Sequence, residues 1–342
     1  MSLSCKEIDK EDLEYFLGDF PHTPFLQSFA WGQFQKQIEN KVYRFGVFDS
    51  EKLVGVVSAQ KVKAKFASFL YVPWGPLIKD WEKQKVEPLL NKLAKIAKED
   101  NLDFVRLEPR VIGGSEAEIL ERGGFRQSRF FTQPECTSIM NLSKSEEELL
   151  SAMSDSTRYN VGMVERKGVK VRIGNSEDIG IFEKLLKETA SRHQFTVDIK
   201  PGYYRKQYEI LSEKGIMKVL VAEYNGQPLA AALVVFYGDT ATYLHAASSR
   251  TQPKLRAPYL LVWKVMLEGK KRGFKYFDFW GVAPENAGEN HPWSGVTSFK
   301  MSFGGERICY SPVFDLPTSN KYLFAKFIEN IRKPVRKILR LS

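Results

Sequence analysis

Lys218-Val-Leu-Val-Ala-Glu-Tyr224, then Asn225-Gly226, then Pro228-Leu-Ala-Ala-Ala-Leu-Val-Val-Phe236 is the stretch that decides the fold. Asn-Gly supplies two residues that accept the positive φ values of a tight hairpin turn, so the two flanking runs read as paired strands. Downstream, Ala241 to Ala247 reads as a strand, Pro258 to Arg272 as a helix and Lys275 to Trp280 as another strand. The same succession stands earlier in the chain. Tyr43 to Phe48 and Lys52 to Val62 form a hairpin around Asp49-Ser50, and Ala67 to Val72 is a third strand, closed by Pro73-Trp-Gly-Pro76. Between Lys83 and Lys98 the apolar Val86, Leu89, Leu90, Leu93 and Ile96 recur at helical spacing, and Phe104-Val-Arg-Leu-Glu108 follows as a strand. A plan used twice constrains the whole architecture more than any single motif, and it predicts an α/β (α+β) chain of two similar halves.

The 342 residues are long for one core and comfortable for two. The net charge of +10 and pI near 9.2 favour a polyanionic partner: nucleic acid, a nucleotide-linked substrate or an anionic membrane surface. No apolar run approaches the roughly 18 to 20 residues of a membrane-spanning helix. Met1 leads into the charged segment Lys6 to Asp12, read as an acidic helix, rather than a secretory signal, and a cytoplasmic protein is expected. Cys5, Cys136 and Cys309 form no C-x-x-C pair, and His22, His193, His245 and His291 show no ligand spacing, so neither a metal nor a cofactor is expected.

Local signals place the connecting elements. Ser28 reads as the N-cap of a short helix carrying Trp31 and Phe34. Ser143-Lys-Ser-Glu146 reads as a capping signature for a helix with Leu149, Leu150 and Met153. A basic helix from Ser156 turns at Gly168 into a strand, and a further helix, Ile179 to Phe195, precedes Lys200-Pro-Gly-Tyr-Tyr-Arg205. From Lys321 onward seven Lys/Arg stand against Glu329 alone, with Phe324, Phe327, Ile328, Ile331, Val335 and Ile338 at spacings of three and four. That is a basic amphipathic helix bent at Pro334, whose apolar stripe is expected to pack on its parent domain rather than lie on a membrane.

Chemistry concentrates between Phe277 and Glu306. Asp278 interrupts an apolar strand, Gly281 turns it, and Phe299-Lys-Met-Ser-Phe303 reads as a returning strand that carries Lys300. An acid and a base are placed beside a loop, in catalytic, substrate-holding or merely structural roles.

The repeated plan resembles the GNAT-like (acyl-CoA N-acyltransferase-like) fold used twice. The loops where that fold cradles a CoA pyrophosphate are Pro73 to Asp80 and Arg250 to Pro258 here; neither is glycine-rich and both hold prolines, which argues against an acetyl-CoA donor. Motifs in order along nearly the whole chain resemble the FemABX aminoacyltransferases that build peptidoglycan interpeptide bridges. They are Gln27-Ser-Phe-Ala-Trp31, Trp74-Gly-Pro76, Arg106-Leu-Glu-Pro109, Thr157-Arg-Tyr-Asn160 with Lys167-Gly-Val169, and Tyr276-Phe-Asp-Phe-Trp-Gly281 with Phe299-Lys300 and Phe303-Gly-Gly305. The resemblance implies two tandem GNAT-like domains, residues 1–142 with 312–342 and residues 143–311, the C-terminal segment completing the first. It implies transfer of an amino acid from aminoacyl-tRNA to the side-chain amine of residue three of the stem peptide, on a UDP-linked or lipid-linked muropeptide. The stretch from Arg158 to Gly215 has no room for long paired helices, so the chain is similar to the compact, armless members, for which a monomer is expected. Gln33 and Gln35, near Lys36, stand where those members carry a basic residue; Asp103 and His245 replace two tyrosines.

Aminolysis of an aminoacyl ester needs a neutral amine, a destination for its proton and stabilisation of the carbonyl oxyanion, and much of the rate comes from placing the two reactants together. Lys300 is the candidate for the oxyanion or the tRNA 3′ end, against a purely structural pairing with Asp278 or Glu306. Asp278 and Glu108 end equivalent strands of the two halves, and either can accept the amine proton; for Glu108 a salt bridge to Arg106 or Arg110 is favoured instead. The proton can also leave through water or substrate phosphate. Lys36, Tyr203, Tyr204, Arg205, His245 and Phe299 are candidate acceptor contacts: Arg205 as a fork on phosphate, the two tyrosines as stacking faces for a uracil or as core aromatics. Arg158, Arg166 and Lys167 are candidates for tRNA phosphates. Two other classes compete: an N-acyltransferase using acyl-CoA or an acyl carrier protein, and a non-catalytic tRNA- or membrane-binding protein.

Overall fold

The computed structural model describes residues 3–111, 116–193, 200–288 and 290–332. The chain packs as two units, described residues 3–135 with 309–332 in one and 136–308 in the other.

The first unit opens with an edge strand. β1 (Leu3–Glu7) pairs antiparallel with β2 (Val42–Asp49), so the helix expected from Lys6 starts only at α1 (Lys10–Leu17), where the Asp9 carboxylate accepts from the Asp12 N–H at 2.9 Å. Ser28 caps α2 (Phe29–Gln37), its hydroxyl accepting from the Trp31 N–H at 3.0 Å. There follow β3 (Lys52–Lys63), β4 (Ser68–Pro73), the short β5 (Leu77–Ile78), α3 (Lys83–Glu99), β6 (Phe104–Glu108), α4 (Glu116–Arg122) and β7 (Arg126–Ser128). The second unit contains β8 (Cys136–Asn141), α5 (Glu146–Ser151), α6 (Asp155–Arg166), β9 (Lys170–Ile173), α7 (Asp178–His193) and α8 (Tyr203–Glu213). It continues through β10 (Met217–Tyr224), β11 (Gln227–Tyr237), β12 (Thr240–Ser248), α9 (Ala257–Lys271), β13 (Tyr276–Val282), α10 (Ser294–Met301) and β14 (Glu306–Cys309). The chain returns to the first unit with β15 (Val313–Pro317) and α11 (Lys321–Arg332).

The sheet orders show the repeat. The first runs β1-β2-β3-β4-β6-β15-β7 with β5 on β3, and the second β14-β8-β13-β12-β11-β10-β9. In each, an antiparallel hairpin leads to a parallel pair, β4–β6 and β12–β13, joined by a helix that covers the sheet. Val86, Leu89 and Leu93 of α3 pack on Phe45, Val57, Leu70 and Val105; Leu260, Leu261 and Val265 of α9 pack on Ala232, Val234 and Phe277. Each such aliphatic side chain, fully withdrawn from water, contributes about 1.5–3 kcal/mol before chain entropy is set against it.

The two parallel pairs differ in one respect that bears on function. β4 and β6 stay paired to the end, from Phe69–Phe104 to Pro73–Glu108. Pairing between β12 and β13 stops after Thr242–Asp278, and the strands part beyond it. The second unit is splayed where the first is zipped shut.

β15 inserts between β6 and β7, so the C-terminal segment completes the first sheet. It is held by the buried Arg106, whose guanidinium forks onto Asp315 at 2.8 and 2.9 Å and reaches Glu329 of α11 at 3.2 Å. The strand Cys136–Asn141, placed by sequence with the first half, pairs in the second sheet. Cys136, which opens β8, and Cys309, which closes β14, are both disulfide-bonded, and Cys5 is a free thiol.

Two further expectations are corrected. The capping box of α5 uses Ser145 and Glu148, each side chain bonded to the other's backbone, rather than Ser143 and Glu146. On α11, Tyr322 and Ala325 are buried against Phe104, whereas Phe324 and Phe327 of the expected packing stripe stand exposed. Pro334, Val335, Ile338 and the helix end expected at Phe195 lie outside the described residues. No helix among the described residues is long and apolar enough to cross a membrane.

Candidate active site

Asp278 sits where β13 leaves β12. Its carboxylate is fully buried, and Oδ1 accepts from the Trp280 N–H at 2.7 Å and from the Thr137 hydroxyl on β8. A side chain that bonds the backbone two residues on draws the chain out of its ladder. Accordingly Trp280 adopts φ 60°, and the register against β8 shifts between Asp278 and Gly281. A left-handed conformation in so bulky a residue costs on the order of 1–3 kcal/mol, held here by the surrounding bonds and the burial of the ring.

Lys300 reaches this turn from α10, its Nζ donating to the Gly281 carbonyl at 2.8 Å. It lies in the last turn of a helix, not on the strand expected from sequence. Phe299 and Phe303 stand four residues apart, a spacing that satisfies a strand and a helix alike. Tertiary bonds decide between them: Thr297 donates its N–H to the Trp293 carbonyl inside the helix, and its hydroxyl accepts from the Ala283 N–H at 2.8 Å. Phe299 packs edge-on against Tyr259 and Phe303. Burial pushes the Lys300 ammonium down to about 8, and the negative charge of Asp278 partly opposes that shift. Glu306 is exposed at the start of β14.

Glu108, the counterpart at the end of β6, is buried in the first unit, where it accepts from the Tyr71 hydroxyl and from the Thr132 and Gln133 N–H groups. Burial raises its pKa, and these donors act in the other direction. The expected salt bridges are replaced: Arg106 pairs with Asp315 and Glu329, and Arg110 donates to the His22 carbonyl and stacks on Trp74. Glu108 thus ties the β6 end to the Thr132 turn.

A second polar cluster lies between α8 and β12. His245 Nε2 is 3.1 Å from Gln207 Oε1, and Tyr204 sets its ring edge-on to His245 and Phe182. Tyr204 is buried, so it presents no stacking face to a ligand from solvent; Tyr203 is half-buried beside it. Burial pushes the His245 imidazolium down to about 3, which leaves the ring neutral. His245 Nδ1, Gln207 Nε2 and Tyr204 Oη have no hydrogen-bond partner among the described residues. Three unmatched polar atoms together in a buried place are uncommon, since each costs about 1–3 kcal/mol.

The remaining candidates are dispersed. Lys36 of α2 and Arg205 of α8 are exposed, as are Arg166 and Lys167 at the end of α6. Arg158 is paired with Asp155 and donates to the Met153 carbonyl. The same helix shapes a cavity of about 320 Å³ lined by Ser156, Tyr159, Asn160, Met163, Lys254 and Arg256. Arg256 precedes α9 in a left-handed conformation (φ 52°) and donates to Asn160 Oδ1 at 3.2 Å. Sequence reading missed Lys254 and Arg256, because the loop from Arg250 to Pro258 was judged by its lack of glycine and not by its three cations. It also missed Thr137 and Gln207, which carry no pattern of their own.

A sequence profile of the FemAB family matches residues 8–117, 123–227 and 212–330. The lipid II:glycine glycyltransferase of Staphylococcus epidermidis is 25% identical over 235 residues, 65% of this chain and 56% of that protein. The match therefore spans just over half of that relative's length. The lipid II:glycine glycyltransferase of Staphylococcus haemolyticus is 22% identical over 372 aligned positions, 87% of this chain and 88% of the relative. The solved structure of FemX shares the fold with a TM-score of 0.83 at 19% identity, covering 94% of this chain and 99% of FemX. A tandem GNAT protein from the clavulanic acid biosynthesis pathway gives 0.56 at 11% identity, over 93% and 99%. The architecture is thus a pair of GNAT-like domains, and with family matches running from residue 8 to residue 330 the chain belongs to the FemAB family.

Proposed function

We propose that this chain is an aminoacyltransferase that carries an amino acid from aminoacyl-tRNA to the side-chain amine of residue three of a peptidoglycan stem peptide on a lipid-linked precursor. The relatives' activity on lipid II supports the lipid-linked acceptor and makes glycine the first donor to test. The observation that carries the reading is Lys300, a half-buried cation on the Gly281 carbonyl beside the carboxylate of Asp278, in the unit whose strands splay.

The acceptor amine attacks the ester carbonyl, a C–N bond forms, and charge gathers on the carbonyl oxygen. A fixed ammonium in a site of low dielectric stabilises that oxyanion more than water does. The C–O bond to the ribose then breaks, and the amine proton passes to the departing ribose oxygen through water. Asp278 has its Oδ1 occupied by two donors and acts in this scheme as the group that sets the Lys300 charge and the Trp280 turn. Lys254 and Arg256, at the N-terminus of α9, offer cations and helix N–H groups for the terminal phosphates of the tRNA.

The test is incubation of the purified chain with charged tRNAs and either lipid II or a UDP-linked muropeptide. Amino acid transfer that requires the charged tRNA is the expected result. Transfer to neither acceptor, where a known relative is active, would overturn the proposal, as would acyl transfer from acyl-CoA in its place.

A further inference from the structure

Eight large apolar side chains stand exposed among the described residues, and four of them share one surface of the first unit. Phe66 lies in the turn between β3 and β4, and Leu323, Phe324 and Phe327 lie on α11, at 37, 68, 55 and 60% exposure. Phe66 and Phe324 line a single groove of about 680 Å³ with Lys61, Lys63, Lys65 and Lys321. Its two acids, Asp100 and Asp103, have internal partners: Asp100 holds Lys61 at 3.0 Å and Tyr43 at 2.6 Å, and Asp103 accepts from the Ser68 N–H and the Ser319 hydroxyl. The groove keeps a positive excess, four lysines against two aspartates.

The exposed row is not what holds α11 in place. Tyr322 and Ala325 are buried on its inner side, Lys326 bonds Asp315 at 3.0 Å, and Glu329 takes the Arg106 guanidinium. Leu323, Phe324 and Phe327 lie on the other side, so the helix has a docked face and an apolar face turned to solvent. Contiguous exposed apolar surface edged by charge marks a binding surface in a protein that otherwise buries such groups.

We propose that this face docks on an anionic lipid bilayer, with Phe66, Leu323, Phe324 and Phe327 entering the boundary between headgroups and acyl chains and the lysines meeting lipid phosphates. An amphipathic helix binds in the plane of a membrane by this division of labour, and each lysine near an anionic surface strengthens binding roughly fivefold. An RNA partner would use the rings as stacking platforms, but Leu323, the most exposed of the four, has no π-face to stack, and the row runs along one helix. The inference goes beyond the transfer reaction, since docking through the first unit holds whatever chemistry the second performs.

The full chain is mixed with vesicles of phosphatidylglycerol and phosphatidylcholine, or of phosphatidylcholine alone, and sedimented at low and high salt. Binding is expected to the anionic vesicles, at least about tenfold stronger than to the neutral ones and weakened by salt. Lys63→Glu with Lys65→Glu should lower the affinity on the order of thirtyfold, and Leu323→Ser, Phe324→Ser and Phe327→Ser together should abolish sedimentation. All five positions are on the surface, and unchanged thermal unfolding verifies the fold. Failure to bind anionic vesicles, equal binding to neutral ones, or wild-type binding by both variants overturns the proposal. So does a loss confined to tRNA binding, or a dimer in light scattering that the triple variant dissociates without change on vesicles. Transfer to a water-soluble acceptor, measured in parallel, should survive the triple substitution, which separates failed docking from a failed reaction.

Discussion

Lys300 and Gly281 are joined by a 2.8 Å hydrogen bond from the lysine ammonium to the carbonyl at the turn of β13. The bond fixes the cation where the second-unit strands have parted, and burial brings its pKa from 10.5 to about 8. If its charge stabilises the oxyanion, transfer should fall as pH rises through about 8, because the cation is present below that value and lost above it. Lys300→Arg, which stays charged, should lack this falling limb, and Lys300→Met should lose at least about a hundredfold in kcat, as loss of an oxyanion donor does. Stability moves the opposite way. The unfolded chain holds the extra proton between pH 8 and 10.5, so folding should gain on the order of 3 kcal/mol across that window, and Lys300→Met should flatten the slope. Denaturant unfolding at several pH values, with the pH–rate profile, checks both.

Asp278→Asn separates positioning from proton transfer. An asparagine oxygen can still accept from the Trp280 N–H and the Thr137 hydroxyl, so the turn should persist. What disappears is the negative charge that raises the Lys300 pKa, and the falling limb should shift to lower pH with activity retained below it. Complete inactivity at every pH, in a variant with wild-type unfolding, would instead make Asp278 the base.

The hairpin at Asn225-Gly226, the amphipathic α3 and the strand Phe104–Glu108 were legible because turn chemistry and hydrophobic period are local. Lys300 was legible as a residue but not as a helical one, since Phe299 and Phe303 fit either period and the Thr297 bond to Ala283 that settles the matter is non-local. Glu108 was read toward its sequence neighbours Arg106 and Arg110; its donors came from β4 and the Thr132 turn. The apolar stripe of α11 was correctly periodic, yet periodicity does not say which side meets the sheet, and Phe324 and Phe327 point away from it.

The Gln207 and His245 pair invites a double substitution. Replacing both by apolar residues of similar size, Gln207→Leu with His245→Phe, removes two unmatched polar atoms, so stability should be unchanged or higher by about 1–2 kcal/mol. If the cluster holds part of the acceptor, the same variant should raise KM for the acceptor at least about tenfold with kcat nearly intact. A gain in stability with unaltered KM would reduce the cluster to an imperfection of the core. Polar groups left unmatched in a folded protein recur at functional sites, because stability and binding pull against each other there.

Arg106 and Asp315 offer the sharpest stability test, since they fasten the returning C-terminal strand to the first sheet. Both side chains are buried, and the fork between them is supplemented by Lys326 and Glu329. Burial alone would raise the Asp315 pKa, but the Arg106 bonds outweigh it and hold the carboxylate below its usual 3.8. The contribution is therefore present above that value and lost as pH falls through the depressed pKa. Asp315→Ala strands a buried guanidinium and should cost about 3–5 kcal/mol, more than the combined Arg106→Met and Asp315→Leu change, which removes both charges and refills the space. Chemical denaturation of the three proteins decides it. Equal losses would mean that the pair's charge is immaterial and that packing of β15 alone retains the segment.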